Sequence, residues 1–198
     1  MTAGGDKKKS RVSLGICLGL CILLCWSPRA AAHQDGSHAS DSAAELEFRI
    51  ILELNPKDTA TWNRLGIVLY KQDKVRDAAE AFSRVLDLKP ADFDAHDGMG
   101  LVKIKEGRYR EAVSWFRKAI AISPGDTMVH YHLGYAFEML GSLHEAEEAY
   151  RKSLDVNGEM LKKGTSVELE TERRSIVHQA LGELQKRIRE ERMRQKQK

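Results

Sequence analysis

Beyond residue 25 this 198-residue chain has no cysteine; Cys17, Cys21 and Cys25 are the whole complement. A disulfide framework and a cysteine-ligated metal are therefore excluded from the rest of the chain. Neither sign of charge dominates. Residues 1–32 hold five basic side chains and one acidic one, which leaves 27 basic and 28 acidic residues beyond them. Nothing in that balance calls for nucleic acid. Proline is scarce: Pro28, Pro56, Pro90 and Pro124 are all there are. No Asn-x-Ser/Thr acceptor occurs either, which is compatible with a bacterial source. The apolar run Val12–Trp26 has 15 residues and spans about 22 Å as a helix, short of the ~30 Å core of a bilayer.

What is present at the N-terminus reads as an address. Lys7-Lys8-Lys9-Ser10-Arg11 precedes the apolar run, Pro28 closes it, and Ala30-Ala31-Ala32 follows. A cut after Ala32 has small residues at −3 and −1, whereas a cut after Ala31 places Arg29 at −3. Residues 1–32 are therefore expected to be a cleavable secretory signal peptide, leaving His33 as the first mature residue. The expected location is the periplasm or another extracytoplasmic space. The alternative is an uncleaved membrane anchor with the remainder facing outward.

The rest of the chain repeats itself. Pro56-Lys57-Asp58, Pro90-Ala91-Asp92 and Pro124-Gly125-Asp126 share the form Pro-x-Asp at intervals of 34 residues, a period that marks a solenoid. Three copies start at Thr59, Phe93 and Thr127. Their eighth slot is Gly66, Gly100 and Gly134; their twentieth is Ala78, Ala112 and Ala146; their twenty-fourth is Phe82, Phe116 and Tyr150. Each slot has a physical task. The aspartates can cap the first helix of each copy. A glycine kept within a helix, at a cost of about 1 kcal/mol, predicts close approach of the second helix. The aromatic fills the space between helices. Asp73, Gly107 and Gly141 suit a left-handed turn between them.

The pattern resembles the tetratricopeptide-repeat family, with Trp62, Leu65, Gly66, Ala78, Phe82 and Pro90 carrying it best. The resemblance implies an all-α, right-handed solenoid of helical hairpins at 59–92, 93–126 and 127–160. Some slots depart from the pattern. His96 and His130 replace Trp62 as packed rings, Lys103 stands where Leu69 and Phe137 do, and Gly158 stands where a proline belongs. Residues 33–41 read as a flexible linker. Ala44, Phe48 and Pro56 sit 34 residues before Ala78, Phe82 and Pro90, so 42–56 reads as a half-repeat capping helix. Residues 161–198 read as a second capping helix with a basic tail. Its stripe is expected to be Ile176, Ala180, Leu184 and Ile188.

No catalytic constellation, cofactor motif or metal site stands out, and no enzyme activity is expected. His144 and Glu148 share a helix face, but the slot is a solvated one. Glu147 is expected on the outer surface.

The family resemblance places function on the first helices, which line a concave surface. The expected partner-binding groove comprises Asn63, Arg64, Tyr70 and Lys71 from the first copy, with Asp97, Leu101 and Lys105 from the second. Met128, Tyr131, His132, Tyr135 and Met139 come from the third. Ile67, Asp94, Ile104 and Glu138 occupy neighbouring groove slots. Met128, Tyr131, Tyr135 and Met139 form one stripe that the hairpin core does not need. Lys71 and Lys105 are placed to hold acidic groups of a ligand. The clamp by which some family members grip chaperone C-termini is absent, because its slots hold Asn63, Ile67, Gly98, Met128 and His132. The implied function is an exported scaffold that binds a peptide or helix of a protein partner during assembly of an envelope complex. Self-association through uncapped ends is the other reading left open. Membrane contact is expected only through an uncleaved signal or the basic tail.

Overall fold

The computed structural model describes residues 28–164 and 166–197, and the described residues form eight helices. The chain divides into two units, 1–40 and 41–198, and all three repeats lie in the second. The apolar run and basic segment of the expected signal peptide fall outside the described residues. Helix α1 covers Pro28–Leu54. Residues 33–41, expected as a linker, are thus helical. Once 42–54 is held by packing, extending a helix upstream costs far less than starting one.

Three hairpins follow: α2 (Thr59–Lys71) with α3 (Val75–Leu88), α4 (Phe93–Lys105) with α5 (Tyr109–Ile122), and α6 (Thr127–Met139) with α7 (Leu143–Lys162). Each first helix starts on its expected aspartate. Asp58 accepts from the backbone N–H groups of Ala60 and Thr61, Asp92 from Ala95, and Asp126 from Met128 and Val129. The hairpin turns are left-handed at Asp73, Gly107 and Gly141. Ala78, Ala112 and Ala146 are fully buried, as are Phe82, Phe116 and Tyr150 to within 2%. At Gly100 an added Cβ would lie 2.5 Å from Phe116 Cδ1, and at Gly134 one would lie 2.6 Å from Tyr150 Cδ1. The repeated glycine therefore admits the ring of the second helix.

The departures from the pattern have local solutions. Trp62 Nε1 donates to the Pro56 carbonyl at 2.9 Å. His96 Nε2 meets the Pro90 carbonyl at 2.8 Å and His130 Nε2 meets that of Pro124 at 3.0 Å. The carbonyl can only accept, so both histidines donate from Nε2. Lys103 is buried, and its ammonium donates to Glu106 at 2.7 Å. With Gly158 in place of proline, α7 runs on for 20 residues, against 14 in α3 and α5.

The last helix, α8 (Val167–Lys196), packs on α7 and touches α6, as α4 packs on α3 and touches α2. It thus takes the place of a fourth first helix. Its buried face is Glu170, Val177, Leu181, Leu184 and Ile188. Ile176, expected within that stripe, is 40% exposed. The contact follows the mixed three- and four-residue steps of a straight helix, whereas strict four-residue spacing drifts around the axis. Glu147 is not on an outer face either; it accepts from Gln185 of α8 at 3.1 Å.

Candidate functional site

Helices α2, α4 and α6 lie side by side. The Asp-capped start of each and the left-handed turn at its end fix their common direction, so equivalent slots fall in rows. Two adjoining depressions open on this face. The larger, about 440 Å³, is lined by Tyr70, Leu101, Ile104, Lys105, Tyr131, His132 and Tyr135. The smaller, about 290 Å³, shares Tyr70 and Leu101 and adds Ile67, Lys71, Phe82, Asp94, Asp97 and Gly98. Eight of the twelve expected groove residues are therefore brought together: Tyr70, Lys71, Asp97, Leu101, Lys105, Tyr131, His132 and Tyr135.

The other four are placed differently. Asn63 is buried to 7%, and its amide donates to Asp92 Oδ1 at 2.9 Å. It ties the first repeat to the cap of the second and is withdrawn from the groove surface. Arg64 is exposed and lines neither depression. Met128 is half-buried beside the start of α6, and Met139 is exposed at its end; neither reaches the depressions. The expected four-residue stripe on α6 thus contracts to its two tyrosines.

Those tyrosines differ. Tyr135 is exposed, whereas Tyr131 stacks on Tyr150 at 5.6 Å and joins the cluster built around α8. Burial raises the Tyr131 phenol pKa, with Tyr135 and Glu138 adding to the effect. Tyr131 therefore does serve the hairpin core, through the cap. Tyr150 donates to Glu138 at 2.9 Å; burial and that carboxylate push its phenol far above the ordinary range. Glu138 also accepts from Arg187 of α8, so this groove slot belongs to the cap as well.

Electrostatics divide the groove floor. Lys105, expected to hold acidic ligand groups, is already engaged. Its ammonium donates to Asp73 at 2.7 Å and to the Tyr70 carbonyl at 3.0 Å, and it sits 4.5 Å from the centre of the Tyr70 ring. Burial raises the Tyr70 phenol pKa, while Lys105 opposes that. His132 Nδ1 meets Asp97 Oδ1 at 2.9 Å, a link between the second and third repeats. Lys71 is an exposed cation of this face with no ion pair among the described residues, and Asp94 is an exposed acid of it. Partial desolvation raises the Asp94 pKa, followed by repulsion from Asp92, Asp97 and Asp126.

Such a surface, mainly rings and aliphatic side chains with a few charges at its edge, suits contact with a polypeptide. Among the described residues no three His, Cys, Asp or Glu side chains converge as a metal site would need. Phe82 and Gly98 were not on the expected surface. The signal was in the sequence: the sixth slot reads Arg64, Gly98, His132, and a missing side chain in a lining row opens what lies beneath.

A family profile described as tetratricopeptide repeat matches the chain three times, over residues 33–93, 63–127 and 98–158. No curated protein sequence matches it. Among solved structures, MamA 41-end from Desulfovibrio magneticus RS-1 is similar at 21% identity with a TM-score of 0.56, covering 82% of this chain and 93% of that one. PcrH, solved in complex with the chaperone binding region of PopD, is similar at 17% identity with a TM-score of 0.57, covering 65% and 91%. At these identities the likeness is one of fold.

Proposed function

The chain belongs to the tetratricopeptide-repeat family, and from that premise we propose an exported scaffold whose groove holds a peptide or helix of another protein during assembly of an envelope complex. The observation that carries this reading is the pair of adjoining depressions across α2, α4 and α6. Tyr70, Leu101, Ile104 and Tyr135 line them, and none of the four is buried. PcrH, of similar fold, is solved with a segment of PopD, which supports a polypeptide as ligand. Export rests on the sequence of residues 1–32. No helix among the described residues is long and apolar enough to cross a membrane.

A photo-crosslinking residue at Ile67 or Tyr135, both exposed in the groove, should capture a polypeptide in the native envelope. One at Glu80, exposed on α3, should not. Capture from Glu80 but from neither groove position would move the interface elsewhere. Capture of only a second copy of this chain would favour self-association.

A further inference from the structure

The sixth slot differs between the two repeat junctions. At the second junction the His132 ring lies 5.6 Å from that of Phe116, covers it, and is held by Asp97. At the first junction the counterpart of Phe116 is Phe82, and the counterpart of His132 is Gly98. No side chain stands over the ring there, although Phe82 remains only 2% exposed. Phe82 instead presses against the glycine backbone, so that an added Cβ would lie 2.5 Å from its Cε1 and Cζ. The result is the 290 Å³ depression, with the edge of Phe82 at its floor and Ile67, Tyr70 and Leu101 as walls. It is closed at depth by the core of the first hairpin, so it suits the end of one side chain rather than a helix face.

The mouth carries a local charge. Asp94 and Asp97 stand on the α4 side, and the capping carboxylates Asp92 and Asp126 add to the repulsion on Asp94, which Lys89 only partly offsets. Asp92 has Lys89 as a partner at 2.9 Å and Asp97 has His132. Asp94 makes no ion pair among the described residues, although it is exposed and crowded by acids. A cation brought there would relieve that repulsion. Lys71 faces the opposite rim, on α2.

Resting on the groove reading, we propose that this pocket takes one aliphatic or aromatic side chain of an extended peptide, and that a lysine or arginine next to it pairs with Asp94. Gly98 opens the pocket and Asp94 selects the neighbour.

The test is selection of displayed random peptides, about twelve residues long, on the full-length chain. Peptides recovered on wild type should carry an apolar residue beside a basic one. Gly98→His, which copies the second junction, should weaken their binding at least tenfold. Asp94→Lys should weaken them similarly and select acidic neighbours in its place. The solvent-exposed Asp94 variant keeps the test decisive if Gly98→His fails to fold, as read by circular dichroism. Peptides without the apolar–basic pair, or binding indifferent to Asp94→Lys, would overturn the proposal. So would the absence of any selected peptide. If peptides bind and are lost on Tyr135→Glu, which lines only the larger depression, yet ignore both pocket variants, the groove reading stands and this one falls.

Discussion

The side-chain amide of Asn63 donates to Asp92 Oδ1 across the first repeat junction, both side chains lying below 8% exposure. Asp92 is at once the cap of α4 and the acceptor for its neighbour repeat. A single carboxylate therefore couples the start of one hairpin to the first helix of the one before.

That coupling predicts a pH-dependent contribution to stability. Burial alone would raise the Asp92 pKa. Hydrogen bonds from Lys89, Asn63 and the Ala95 N–H outweigh it and hold the carboxyl below its ordinary 3.8. A lowered pKa favours the ionised folded state above the unfolded value and loses that advantage as pH falls through the folded one. Asp92→Asn should cost about 1 kcal/mol near neutral pH. In urea denaturation the gap to wild type should hold steady down to about pH 5 and narrow below about pH 4. A gap that widens on acidification would contradict the assignment.

Gly100→Leu should destabilise the middle hairpin by about 3 kcal/mol, since the added side chain enters space held by the buried Phe116 ring. Glu148→Ala, at an exposed position on α7, is the matched control and should melt like wild type. Equal melting temperatures for Gly100→Leu and wild type would show that the ring can leave without cost.

Glu170 fastens the start of α8. Its carboxylate is 2% exposed and accepts from the Thr127 hydroxyl at 2.8 Å, the Asn157 amide at 2.8 Å and Arg173 at 2.8 Å. Glu170→Ala should cost about 3 kcal/mol by stranding those donors. Hydrogen exchange should show α8 losing protection before α2 to α5. Uniform loss along the chain would mean that α8 unfolds only with the whole array.

For export, the intact mass of protein recovered from the extracytoplasmic fraction should correspond to a chain beginning at His33. A mass that includes Met1 would identify an uncleaved anchor instead.

The hairpins were legible because their signals recur in phase. Asp58, Asp92 and Asp126 cap, Gly66, Gly100 and Gly134 admit a ring, and Asp73, Gly107 and Gly141 turn left-handed. Each task is local, so its residue type is visible in one dimension. What escaped depends on partners far apart in sequence. Asn63 faces Asp92, Lys105 faces Asp73, Tyr131 faces Tyr150, and Glu147 faces Gln185. Slot mapping says which way a side chain leaves its helix; it does not say whether another chain segment is already waiting there. The α8 stripe was misread for a related reason. Outside the 34-residue period no second copy checked the phase, and Ile176 took the place of Val177.

The ring of the fourth slot shows what a repeat hands on. Indole and imidazole differ in size, basicity and aromatic area, and an alignment would score their exchange as severe. Yet Trp62, His96 and His130 each aim one ring nitrogen at the carbonyl of the proline six residues earlier. The heritable unit at that position is the direction of an N–H vector, which several side chains can supply. Copies of such a unit can drift apart in residue identity while each continues to tether its first helix to the end of the helix before it.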